Sequence, residues 1–166
     1  MAARRIELFA LLVLGCENPI PTTTAPIDLD GKLREPDWNG RALSRKLVDD
    51  ERHTARPYSE VRLLRDQAHL YLGLYAADED IRKSDFFAVT IGSDALRFHP
   101  DGTVEPPRAD VHAAVDTDGT LDNAADDDEE WVVEASLPLG RGRIAVQRCD
   151  MVKSGERRCG KVELHR

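Results

Sequence analysis

The chain has 166 residues, a formal net charge of −8 and 33% charged residues. That length suffices for one domain with its own core. The acidic balance, with lysines and arginines scattered rather than striped, argues against nucleic-acid binding, which needs a basic footprint.

Residues 1–15 have the form of an export signal. Arg4 and Arg5 are basic, Ile6 to Leu14 is an apolar run broken at Glu7, and Gly15 precedes Cys16. The run falls short of the ~20 apolar residues that a membrane span requires. Val13-Leu14-Gly15-Cys16 resembles the lipobox of bacterial lipoproteins. The resemblance implies cleavage before Cys16, lipidation of Cys16 and a stable membrane anchor. Glu17, where aspartate would favour inner-membrane retention, points to the outer membrane of a cell envelope. The alternative is an ordinary secretory signal and a periplasmic or secreted product. Residues 16–26 then hold the lipidated cysteine and a Pro/Thr tether, with three prolines and Thr22-Thr23-Thr24 in a row.

From residue 27 to 166 the pattern is that of one β domain. Asp30-Gly31 is turn chemistry. Glu35-Pro36 suits entry to a short helical turn with proline in its first turn, and Trp38 is expected to drop onto the core as a lid. Arg41–Val48 reads as a weak strand and Asp49–Pro57 as a charged loop. Glu60–Leu64 and His69–Ala77 read as strands around a polar turn at Arg65–Ala68. In the second of these Leu70, Leu72, Leu74 and Ala76 share one face; Tyr71, Gly73, Tyr75 and Ala77 share the other. A strand apolar on both faces belongs at the centre of a sheet.

Asp85–Ile91 is a further β run with Phe87, Val89 and Ile91 in phase. Leu96–Phe98 and Thr103–Glu105 flank a hairpin signal at His99-Pro100-Asp101-Gly102. Val111–Asp116 is a short strand, followed by an acidic turn and by five acidic residues at Asp126–Glu130. Trp131–Leu137 alternates. Ile144–Val152 and Gly160–His165 close the chain as a hairpin. A three-residue loop Lys153-Ser154-Gly155, with Gly155 left-handed, pairs Met151 with Arg157, Asp150 with Arg158 and Cys149 with Cys159. That register predicts a disulfide worth about 3 kcal/mol in the chain-entropy account; two cysteines without histidine at ligand spacing make no zinc site. Ten or so short strands with no amphipathic helix argue for an all-β, antiparallel β-sandwich of the jelly-roll or immunoglobulin-like kind.

Several of these stretches resemble one family. Ile27-Asp28-Leu29-Asp30-Gly31 followed by Glu35-Pro36-Asp37-Trp38 is similar to the opening of the family 9 carbohydrate-binding modules and their DOMON-like relatives, with two extra residues inside the Ile-Asp-Gly element. The Leu-Tyr-rich strand closed by Asp78-Glu79-Asp80 and the run from Ala114 through Trp131-Val132-Val133-Glu134 to Pro138 continue the likeness. The resemblance implies a non-catalytic, glycan-binding sandwich.

The residues themselves show no catalytic constellation. His53, His69, His99, His112 and His165 lie in no nucleophile motif, and there is no Gly-x-Ser-x-Gly. No glycine-rich phosphate loop joins a strand to a helix, and no axial ligands for haem stand out. For sugar stacking the chain offers few aromatics. Trp38 and Trp131 belong to framework motifs, which leaves Tyr58, Tyr71, Tyr75 and Phe98; of these Tyr58, Tyr71 and Tyr75, with Arg62 one strand over, form the candidate ligand-binding set. The alternative is that these tyrosines only pack, in a structural or protein-interaction sandwich that has lost the sugar site. Asp116, Asp118 and Asp122, around Gly119, are a candidate Ca²⁺ loop; a solvated acidic turn is the alternative.

Overall fold

The structure is a computed structural model and describes residues 19–164. Cys16, the signal and His165 therefore lie outside the described residues. Ten strands and one helix are present: α1 (Pro36–Gly40), β1 (Leu43–Lys46), β2 (Ser59–Arg65), β3 (His69–Ala77), β4 (Phe86–Ile91), β5 (Asp94–Phe98), β6 (Val104–Glu105), β7 (His112–Asp118), β8 (Glu130–Pro138), β9 (Ile144–Met151) and β10 (Arg157–Leu164). They form two antiparallel five-stranded sheets, ordered β1-β2-β3-β8-β7 and β10-β9-β4-β5-β6. The fold is the expected β-sandwich. Among the described residues no helix is long and apolar enough to cross a membrane.

The core lies between the sheets and follows the period-2 pattern. Leu70, Leu72, Leu74 and Ala76 of β3 face Phe87, Val89 and Ile91 of β4 and Ile144 and Val146 of β9 across the interface, together with Val61, Leu63, Trp131 and Val133. β3 sits at the centre of its sheet, paired with β2 and β8. The hairpin register is the expected one: Met151 pairs with Arg157, Asp150 with Arg158 and Cys149 with Cys159. Gly155 has φ +79° in the turn, and Cys149 and Cys159 are bridged.

Trp38 is buried, but not between the sheets. With Leu33, Leu64 and Val132 it forms a second apolar cluster on the outer face of the first sheet. The sequence around it explains why. Proline opens α1 at its first turn. The segment before it then folds back over β3, where Gly73 leaves a gap between Tyr71 and Tyr75. A Cβ at Gly73 would stand 2.5 Å from Cδ2 of Leu33 and 3.4 Å from Cζ3 of Trp38. The two tyrosines thus flank a plug instead of facing open water.

Glu134 of β8 fastens this plug. Its Oε2 accepts from the backbone N–H of Asp30 (2.9 Å) and Gly31 (2.8 Å), and its Oε1 accepts from Trp38 Nε1 (2.8 Å). Glu35 Oε1 accepts from Asp28 N–H at 2.9 Å. Gly31, at φ +82°, lies so close to β7 that a Cβ there would meet Asp116 N at 2.5 Å. The aspartate-glycine turn, the Glu-Pro-x-Trp element and the Val-Glu of β8 are therefore one hydrogen-bonded assembly.

The stretch read as a tether is laid against the domain from residue 19 onward. Ile20 is buried in the main core. Thr23 N–H donates to Arg65 O and Arg65 N–H to Pro21 O, so the segment pairs with β2 past the end of β1. Thr24 N–H and the Thr23 and Thr24 hydroxyls converge on the Asp37 carboxylate. These donors, the Thr24 N–H first, hold Asp37 down to about 2. A single apolar residue among prolines carried too weak a periodic signal to show this docking.

Candidate functional site

The expected ligand residues fall into two places on the outer face of the first sheet. Tyr58, just before β2, and Tyr75 of β3 meet with ring centroids 6.0 Å apart at a 60° tilt. Glu60 ties the group together. It accepts from Tyr58 Oη (2.5 Å), Arg62 Nε (2.7 Å) and Ser44 Oγ (2.8 Å). Lys46 Nζ lies 5.7 Å from the Tyr58 ring centroid. Arg62 also donates to Asn39 Oδ1. Burial raises the Glu60 carboxyl, but the donors outweigh it and the net shift is downward. Tyr58 and Tyr75 are both pushed up to about 12, first by burial and then by the carboxylates of Glu60 and Glu130 respectively.

Tyr71 stands apart. Four residues along an extended strand separate it from Tyr75 by about 13 Å. Its hydroxyl donates to Asp66 Oδ2 at 2.8 Å, and its ring lies 6.2 Å from that of His69. Burial and then Asp66 push it up to about 12. All three tyrosines are partly buried.

Tyr58 also lines a cleft of about 870 Å³ at one end of the sandwich. It is also lined by Glu79, Asp80 and Glu129, by Lys153 and Arg158, and by the 53–57 loop. This is the size range of small-ligand sites.

Asp78 and Asp150, which also line the cleft, belong to a buried ionic network between the sheets. Asp78 follows β3, Asp85 precedes β4, and Arg148 and Asp150 take inward positions on β9. All four are 3% exposed or less. Arg148 Nη2 donates to Asp78 Oδ2 at 2.8 Å and stands 3.6 Å from Asp150 Oδ1; Nη1 donates to Ala77 O (2.9 Å) and Ser59 Oγ (3.1 Å). Trp131 Nε1 donates to Asp78 Oδ2 at 3.2 Å. Asp85 accepts from the N–H of Arg82 and Met151. Burial pushes Asp85 up to about 7 and Asp150 up to about 6, against the opposing Arg82 N–H for the first and Arg148 for the second. Asp78, Asp85 and Asp150 each bring a carboxylate oxygen within 4.8 Å of the others. Among the described residues they are the group that could hold a metal ion.

The residues expected for Ca²⁺ are arranged differently. Asp116 and Asp118 are exposed on β7, which runs two residues further than expected because Thr117 and Asp118 keep pairing with Trp131 and Glu130. Asp122, at φ 58°, caps the Lys83 N–H. Sequence reading passed over Asp78, Asp85, Arg148 and Asp150. A signal was present: Ile144 and Val146 set the inward phase of β9, and that phase continues through 148 and 150.

No protein-family model matches the chain, and no curated protein matches it in sequence. Solved structures do match in shape. A family 9 carbohydrate-binding module from Caldicellulosiruptor kristjanssonii in complex with glucose aligns over 85% of this chain and 83% of its own, with a TM-score of 0.55 at 15% identity. A module of the same family and organism in complex with cellotriose aligns over 86% and 82%, with a TM-score of 0.56 at 15% identity. The fold is that of a family 9 carbohydrate-binding module.

Proposed function

We propose that this chain is a non-catalytic glycan-binding module of the cell envelope, anchored through Cys16, and that it takes a short glucan in the cleft beside Tyr58. The observation that carries the reading is the cleft itself. It sets one aromatic side chain, Tyr58, which is backed by Tyr75 outside the cleft, beside the acidic groups Glu79, Asp80 and Glu129 and the basic groups Lys153 and Arg158. Carbohydrate recognition needs that combination of a flat apolar face and convergent polar groups. The fold supports it, because modules of the same shape are seen with glucose and cellotriose. Arg62 and Glu60 position the Tyr58 hydroxyl. Tyr71, at the far end of β3, is left to packing.

Calorimetric titration with glucose, cellotriose and a panel of envelope glycans tests this. Tyr58→Ala should weaken binding at least tenfold, about 1.4 kcal/mol, while Tyr71→Ala should leave affinity unchanged. No heat with any glycan would remove the reading. It would favour the competing one, a structural or protein-interaction sandwich, for which the observation is that Glu60, Glu130 and Asp66 already engage all three tyrosine hydroxyls.

A further inference from the structure

The geometry points to a divalent-cation site formed by Asp78, Asp85 and Asp150 beside the cleft, suited to a hard, oxygen-preferring ion of the Ca²⁺ class. Three observations carry it. The first is convergence. Oxygens bound about 2.4 Å from one ion lie at most about 4.8 Å apart, and the three carboxylates, from three separate elements, meet that limit.

The second is an unmet acceptor. Asp150 is 2% exposed, yet neither of its carboxylate oxygens receives a hydrogen bond. Buried acceptors in folded proteins are otherwise almost always satisfied. Arg148 Nη2 stands 3.6 Å from Asp150 Oδ1, beyond hydrogen-bond distance; its Nη donors go to Asp78, Ala77 and Ser59, and its buried Nε has no partner either.

The third is charge. Four buried carboxylates, Asp78, Asp80, Asp85 and Asp150, face two guanidinium groups, with Arg82 paired to Asp80 and Arg148 to Asp78 and, at 3.6 Å, to Asp150. With all four ionised, the carboxylates carry a formal excess of two negative charges among groups 3% exposed or less. Burying charge in that state is costly, and one divalent ion would balance it. The cation would tie the end of β3, the start of β4 and β9 together. Asp78 and Asp150 also line the cleft.

The site is read without any sugar, so its test is separate from that of glycan binding. The protein is stripped with EDTA and titrated with CaCl₂, following heat and melting temperature. One bound ion per chain is expected, with the melting temperature raised by about 5–10 °C at a hundredfold excess over Kd. Asp150→Asn should abolish both effects. In EDTA it should also melt at or above the unaltered protein, because it removes a buried charge repelled by Asp78 and Asp80 and no hydrogen bond, giving up only the 3.6 Å contact with Arg148. Asp85→Asn is the second variant and should likewise abolish binding. Absence of heat and shift in the unaltered protein would overturn the site. So would Ca²⁺ stabilisation that survives Asp150→Asn, or that is lost only when Asp116 and Asp118 are both changed to Asn.

Discussion

Glu134→Ala is expected to destabilise the domain by about 3–5 kcal/mol, the cost of removing one partner from a buried charged network. Glu134 is fully buried, and its two oxygens accept from the N–H groups of Asp30, Gly31 and Trp38. Alanine leaves all three donors without a partner beneath the plug. At 2–4 °C per kcal/mol for a chain of this size, the melting temperature should fall by about 6–20 °C. Glutamine is not a rescue, because its amide NH₂ must face either Trp38 Nε1 or the paired backbone N–H groups. The loss should be local before it is global. Hydrogen exchange should quicken first at residues 28–31, and Trp38 fluorescence should shift to the red. Equal exchange in the variant and the unaltered protein at 28–31 would mean the plug does not depend on Glu134.

Arg148→Met should cost a similar 3–5 kcal/mol in metal-free buffer. The side chain is 2% exposed and joins the sheets through Asp78, Ala77 and Ser59. Methionine replaces much of the volume but leaves Asp78, Asp85 and Asp150 facing one another without a cation. The effect should be non-additive with Asp150→Asn, since the second change removes part of the repulsion the first creates. The double variant should therefore melt above Arg148→Met alone. Melting temperatures that add as independent losses would show that Arg148 acts through packing and not through charge.

Much of this fold is legible in the sequence, for reasons that differ by element. β2, β3 and β8 could be read because alternation on one buried face is a direct imprint of the pleat: Leu70, Leu72 and Leu74 have no other arrangement that hides all three. The β9–β10 register could be read because a glycine at the left-handed position fixes a three-residue loop, and the cysteines then check it. The place of Trp38 was not legible. An aromatic beside a turn shows that it will be buried, not which of two faces will bury it. What decides is Gly73, a missing side chain on another strand, and a carboxylate 96 residues away.

The candidate site was legible only in part. Tyr58, Tyr75 and Arg62 are gathered by Glu60, a residue that looked like ordinary strand surface. Tyr71 shares their face by alternation but not their neighbourhood, because periodicity fixes the side of a sheet and not the distance along it. The ionic network was hidden for the opposite reason. In a chain with 31 acidic residues no single aspartate stands out. Only the inward phase of β9 separates Asp150 from the solvated rest.

Recognition of a glycan at the Tyr58 end of the cleft is tested most directly by titrating the ¹⁵N-labelled protein with cellotriose and following backbone amide shifts. Saturable shifts grouped at residues 53–58, 77–80 and 150–154, with Tyr75 beside them, are the predicted result. Shifts confined to the Asp66–Tyr71 end of β3, or none up to millimolar sugar, would contradict it.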